Sequence, residues 1–419
     1  MQSSPFRALT HYRVLPQIAG WKYLLIAFTA RAPYAMIPLG TMTAFTVATD
    51  SVSTGAYATA AVALSTALAA PLIGKWADAR GPALPLKILT PLNAMALGLL
   101  FLAAMQATQG ILLILTCILA GATSLPIGSF TRSRWITQTK LPRELNAALS
   151  YESMADELVF VLGPALVGIA ASAAAPAAPL GLAFAMVATV GIIFARQTAK
   201  YQASLEKAKT TDDRASKTSD NAAAAQPRPR PTVGKVLVAV IPTIIVMIGI
   251  GMYFGATQAA TTMRADLAEA PTMAGLIYAT MGLGSAVMAI MTVAIPERIT
   301  LPMRIFIGGS GMMLAMLVVS YLPTLTTTAA FLTICGLFVG PTMVTAFSLT
   351  EILAPEGGIG VAMTSMQSSV TIGVSLGAAV GGPVAETYGD RPAFWLPVAA
   401  GVLIAAVGLG LNYRRRFSK

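Results

Sequence analysis

Residues 148–168 read ALSYESMADELVFVLGPALVG, and the apolar run they open continues to about Ala175. Three carboxylates, Glu152, Asp156 and Glu157, stand at its head, and Gly163-Pro164 follows. An acid at mid-membrane costs roughly 2.5–3.5 kcal/mol on insertion scales, so three in one span need a compensating partner and mark a functional element. The same stretch aligns without gaps to residues 362–382, AMTSMQSSVTIGVSLGAAVGG. Ala148, Leu162, Gly163, Ala165 and Gly168 meet Ala362, Leu376, Gly377, Ala379 and Gly382. Residues 84–88 (LPLKI) and 301–305 (LPMRI) repeat at nearly the same offset. The acids have no counterpart: they face Met366, Val370 and Thr371. The repeat indicates duplicated halves, and the acids serve something particular to the first.

The rest of the chain is built of similar runs. Of 419 residues, 56% are hydrophobic and 11% charged, against about 25% charged in soluble domains. Spans of about 20 apolar residues are predicted at 21–47, 54–75, 85–106, 110–131, 147–172, 178–196, 235–258, 272–294, 304–322, 327–350, 360–385 and 392–412. The expected fold is an all-α membrane protein with twelve transmembrane helices in two pseudo-symmetric six-helix bundles. With the N-terminus inside, 25 of the 28 Lys and Arg residues fall in cytoplasmic segments, which supports both the count and cytoplasmic termini. The net charge of +11 is then a topology signal, and no nucleic-acid partner is implied. Arg7, Arg13 and Lys22 precede the first run, which reads as a retained span rather than a cleaved leader. Residues 197–234, charged and then Ala- and Pro-rich, read as a mostly disordered cytoplasmic linker with room for a helical start. They separate an N-terminal bundle (1–196) from a C-terminal one (235–419). Cys117 and Cys335 lie in apolar runs and His11 precedes the first span. No metal cluster, cofactor motif or nucleophile–base set stands out, so neither an enzyme nor a cofactor is expected.

Between spans 2 and 3 stands Gly74-Lys75-Trp76-Ala77-Asp78-Ala79-Arg80-Gly81. With twelve spans and a long central loop, it resembles the cytoplasmic loop motif of the major facilitator superfamily, matching at Gly74, Ala77, Asp78 and Gly81. The usual basic positions hold Ala79, Pro82 and Ala83, and Arg80 occupies a variable place. The resemblance implies an inner gate formed by Gly74, Asp78 and Gly81, with Arg80 beside them. In span 5, Gly163-Pro164-Ala165-Leu166-Val167-Gly168 is similar to the Gly-Pro-x-x-x-Gly signature of proton-driven exporters, although Ile169 replaces its closing glycine. The arginine those exporters carry within span 4, and their span 1 acid, are missing here; span 1 offers Arg31 instead.

Arg31 and Glu157 each lie about ten residues into spans that run outward, hence roughly 15 Å deep. The shared architecture brings spans 1 and 5 together, so Arg31 is expected to pair with Asp156, Glu157 or both. Glu157, on the side of Pro164 and Gly168, is the favoured proton carrier. Asp156 is the alternative, and Glu152 a cytoplasmic relay. The resemblance implies a cavity lined by spans 1, 4, 7 and 10. Its polar or aromatic candidates are Tyr34, Thr41, Ser124, Thr131, Tyr253, Gln258, Thr261, Thr345 and Phe347. The functional expectation is a monomeric secondary transporter in the lipid bilayer of a bacterial inner (plasma) membrane. It would exchange protons for a neutral, cationic or amphipathic small-molecule substrate, in the direction of efflux. An importer is the alternative, and a non-transport assembly factor a remoter one.

Overall fold

The computed structural model describes residues 14–139, 141–215, 231–291, 295–296, 298–356 and 358–417. Each expected span coincides with a helix or a broken helix. The N-terminal half comprises α1a (Trp21–Thr29), α1b (Ala32–Thr49), α2 (Val52–Arg80), α3 (Ala83–Met105), α4a (Gly110–Ala122), α4b (Ile127–Gln138), α5 (Pro142–Ala173), α6a (Ala178–Met186) and α6b (Ile192–Ala215). The C-terminal half comprises α7 (Val233–Leu267), α8 (Ala274–Met291), α9 (Leu301–Tyr321), α10 (Leu325–Leu353), α11 (Ile359–Tyr388) and α12 (Asp390–Phe417). Among the described residues, ten helices are long and apolar enough to cross a membrane, against twelve expected. The other two expected spans are α1, cut by a turn at Ala30–Arg31, and α8, which runs up to residues 292–294, outside the described residues.

Local chemistry accounts for the helix ends and breaks. Ser51, Thr300 and Thr324 accept hydrogen bonds from the backbone N–H of Thr54, Met303 and Thr327, capping α2, α9 and α10. Pro33 follows the α1 break and Pro126 stands in the interruption between α4a and α4b, where a proline lacks the amide needed to continue the ladder. A π-helical turn, Val187–Gly191, joins α6a to α6b.

Three expected boundaries are corrected. The fourth span does not stop at residue 131: α4b carries Arg132, Arg134 and Trp135 on to Gln138. The seventh span continues past 258 to Leu267. The helix of the sixth span continues past 196 to Ala215, where a helical start to the linker was allowed for, while residues 216–230 lie outside the described residues. Side-chain contacts hold this extension. The Gln202 amide accepts from the Ala83 N–H at 3.0 Å. The Arg134 guanidinium lies over the Tyr201 ring at 4.2 Å and the Tyr23 ring at 3.7 Å, cation–π contacts that bind α6b, α4b and α1a together. Gly81, with φ +78°, makes the turn that ends α2 against Gln202, a conformation costly for other residues.

Each half buries its own apolar cluster. In the first, Ile37, Phe45, Leu97, Leu100 and Cys117 are central. In the second, Met247, Tyr253, Met312, Cys335 and Phe394 are. Large apolar side chains such as Leu72, Ile111 and Ile352 face outward, as an apolar solvent allows.

The sequence repeat becomes a structural one at its glycines. A Cβ on Gly163 would stand 2.7 Å from that of Ala35, so α5 packs tightly on α1b. One on Gly377 would stand 2.9 Å from the Ala256 nitrogen, so α11 packs in the same way on α7. Gly168 meets Leu276 and Gly275 of α8, and Gly382 meets Ala56 of α2. These last two contacts cross from one half to the other. Small residues allow such close helix crossings.

Candidate functional site

Arg31 stands at the α1 break as the N-cap residue of α1b, and is 5% exposed. Its Nη2 donates to Thr131 Oγ1 at 2.5 Å and to Glu152 Oε2. Its Nε lies 3.3 Å from Asp156 Oδ1. Glu152, 1% exposed, also accepts from Thr131 Oγ1 and, at 2.7 Å, from Trp135 Nε1. Asp156, a quarter exposed, accepts from Arg132 Nη2 at 2.6 Å. Two guanidinium groups thus face two carboxylates, with three helical segments, α1b, α4b and α5, contributing. Such compensation is what allows charges to persist in a membrane span.

The arrangement extends the expected pairing. Glu152 is a further, buried partner of Arg31. Asp156 is near Arg31, as expected, but shares itself with Arg132. The reason is geometric. Residues 152 and 156 are one turn apart on one face of α5, and the extended α4b presents Thr131, Arg132 and Trp135 to that face. The side chain of Glu157 lies outside the described residues, as does that of Asp78. In the second half, α7, α10 and α11 meet through Thr243, Thr350 and Met366. Thr350 Oγ1 donates to Thr243 Oγ1 at 2.8 Å and approaches Met366 Sδ at 3.2 Å, a neutral counterpart of the charged cluster.

Beyond the acid cluster along α5, a cavity of about 110 Å³ lies between the halves. Ala35, Pro38 and Leu39 of α1b, Phe160 and Pro164 of α5, and Phe254 and Gln258 of α7 line it. So do Tyr278, Met281 and Ser285 of α8, Met343 of α10 and Val374 of α11. Of the expected cavity residues, Gln258 lines it, as does Pro164, expected as part of the span 5 signature. Tyr253 is wholly buried in the second core, its hydroxyl donating to the Met312 carbonyl at 3.4 Å. Phe347 packs against the same core. Tyr34 packs inside the first half, and Ser124, at the α4 break, donates to the Ala120 carbonyl. Span 8, which the sequence did not offer, supplies much of the wall; its polar residues are sparse and its role emerges only from the crossing at Gly168 and Gly275. Of the gate residues, Gly81 forms its turn, Arg80 is exposed with its carbonyl near Gln202, and Gly74 has open space where a Cβ would be.

Hydrogen bonds joining the halves gather toward the end that carries Ser51. Glu386 of α11 accepts from the Ser53 N–H at 2.5 Å and from Ser51 Oγ at 2.9–3.0 Å, placing a carboxylate on the N-terminus of α2. Ser375 Oγ donates to the Ala60 carbonyl at 2.9 Å and Ser172 Oγ to that of Thr272 at 3.4 Å. Nearby, and unanticipated from sequence, Arg264 is buried. It donates to Asp390 Oδ2 at 2.5 Å, the Val319 carbonyl at 2.8 Å, Thr328 Oγ1 at 2.9 Å and the Ser320 carbonyl at 3.5 Å, and lies 4.3 Å over the Phe394 ring.

Two helical halves that close around an inter-bundle cavity, with compensated charge beside it, have the build of a membrane transporter rather than of an enzyme. The model of the Major Facilitator Superfamily matches residues 21–378, and the chain belongs to that superfamily. Solved structures agree on the fold. A mutant of the nucleoside transporter NupG superposes with TM-score 0.67 at 13% identity, covering 93% of this chain and 98% of that one. A bacterial homologue of the iron transporter ferroportin, in an outward-facing state with soaked iron, superposes with TM-score 0.58 at 15% identity, with the same coverage. At these identities the likeness is one of fold. The comparison with curated proteins returned no match.

Proposed function

We propose that the chain is a proton-coupled secondary transporter that moves a small molecule, in the direction of efflux, by rocking its two bundles about the central cavity. The observation that carries this reading is the buried cluster of Arg31, Glu152, Asp156 and Arg132 beside that cavity. Glu152 is held by three donors and serves to position Arg31. Asp156 is the more open acid and shares one guanidinium with Glu152. It and Glu157 are the carriers proposed. Losing or gaining a proton there changes how many acids balance two fixed cations, and so which packing of α1, α4 and α5 is favoured. A gradient drives the cycle only if the two packings differ in proton affinity.

The basic-residue bias supports cytoplasmic termini in a bacterial inner membrane. The seal at Ser51 and Glu386 is then the outer one, and the end of α2 from Gly74 to its turn at Gly81, with Asp78 and Arg80, belongs to the inner gate. One copy contains both bundles and the cavity between them, which supports a working monomer. The test is metabolite accumulation in cells lacking and overexpressing the protein, with and without a protonophore. Efflux predicts a compound that accumulates in the deletion strain and is depleted on overexpression, both differences vanishing with the protonophore. Accumulation on overexpression instead would establish import, and differences indifferent to the protonophore would remove proton coupling.

A further inference from the structure

The cavity wall pairs apolar surface with polar groups that the protein leaves unused. Gln258 is 5% exposed, and its amide makes no hydrogen bond among the described residues. The hydroxyls of Tyr278 and Ser285, also on the wall, likewise have no partner among the described residues. Buried hydroxyls without a partner also occur on α7 at Thr257, Thr261 and Thr262, but other polar groups near the wall are paired. One turn from the cavity wall, Thr280 donates to the carbonyls of Ile277 and Ala329. Ser348 and Thr345 of α10 bond back to their own helix. A polar group on a cavity wall that has no protein partner is available to a ligand. The remainder of the described wall is Phe160, Phe254, Met281 and Met343 with small aliphatics, and among the described residues it contains no ionisable acid or base apart from the Tyr278 phenol. The nearest described acids, Glu152 and Asp156, are engaged by Arg31 and Arg132, so they project no net charge into it.

We infer that the cavity takes an uncharged, mainly apolar molecule carrying hydrogen-bonding groups, and that Gln258, with Tyr278 and Ser285, recognises those groups. An ion would find no counter-charge among the described wall residues and would lose its hydration against them uncompensated. A neutral amide or hydroxyl would satisfy the orphaned donors and acceptors, and flat rings would lie against the aromatic and thioether faces. The assignment divides the labour between the halves: all three reading groups belong to the second, and the described charge cluster to the first. It rests on the reading of this cavity as the substrate site.

The test uses three compounds of one shape, 2-naphthamide, 2-naphthoate and 2-naphthamidinium, with the purified full chain reconstituted in nanodiscs. Thermal unfolding is followed against concentration of each. The naphthamide is expected to stabilise the protein saturably and at least about tenfold more tightly than either ion. Gln258→Leu should weaken the naphthamide about tenfold without lowering the unliganded unfolding midpoint, and Tyr278→Phe should weaken it less. Equal or tighter binding of either ion, absence of any response to the naphthamide, or naphthamide affinity untouched by both substitutions would each overturn the inference. Failure here alongside intact protonophore-sensitive transport removes only the ligand class. The expected selectivity without such transport removes the transport reading and leaves the cavity assignment.

Discussion

Two buried arginines show how the same residue type takes different parts. The Arg264 guanidinium spends its donors on one carboxylate, two carbonyls and a hydroxyl from three other helices, the geometry of a fixed pin. Arg31 keeps Nε and Nη1 without a hydrogen-bond partner, although Asp156 stands close enough to form an ion pair. Breaking the pin leaves a buried cation uncompensated. Asp390→Asn is expected to cost about 3–5 kcal/mol, read as a lowered unfolding midpoint in detergent, with the pH response of the remaining folded protein unchanged. Arg31→Ala should destabilise comparably through Glu152, and the double variant Arg31→Ala/Glu152→Gln should recover a large part of that loss. No recovery would show that the two do not act as a pair. The charges of span 5 and Arg31 were conspicuous in the sequence because they interrupt apolar runs. Which acid Arg31 chooses was not legible, since it depends on the break at Ala30 and on an α4b that reads as a cytoplasmic tail. Arg264 was missed for a related reason: Thr261, Thr262, Arg264 and Asp266 look like the polar end of a span, and only the partners on α9, α10 and α12 make them an interior.

At the scale of elements, α5 joins the two kinds of contact the molecule needs. Gly163 binds it within its own bundle, and Gly168 crosses to the other. Leucine at these positions should therefore have different effects. Gly163→Leu forces α5 off α1b and should lower the unfolding midpoint, because overpacking costs about 1–3 kcal/mol or more. Gly168→Leu wedges apart two bundles that the proposed cycle separates in any case. It should leave the midpoint nearly unchanged and raise the reactivity of a cysteine placed at Ser172, which now touches Thr272. Similar losses of stability from both would argue against bundles that move as units. The glycine pattern and the repeat were readable from sequence, and so were the two halves and the order of the spans. What each glycine touches was not, because a repeat aligns residues without stating which neighbour they face. A helical start to the linker was allowed for, but its extent to Ala215 was hidden: its charged composition suits a linker, and Tyr201 and Gln202 hold it through partners more than sixty residues away.

For the whole molecule, the seal between α2 and α11 and the acid cluster in α5 are the two ends of one proposed device. Glu386 caps the N-terminus of α2 from across the interface, so Glu386→Gln, which weakens a charge-assisted contact worth about 1.5–3 kcal/mol, should shift the population toward the form open at that end. The most direct test of the central claim is the distance between spin labels replacing Tyr57 and Tyr388, exposed positions flanking this seal, measured by double electron–electron resonance across a pH series without substrate. Proton coupling through α5 predicts two distance populations whose ratio changes with pH, and a ratio fixed at all pH values when Asp156→Asn and Glu157→Gln are combined. A single distance at every pH, or a pH response that survives in the double variant, would contradict the account.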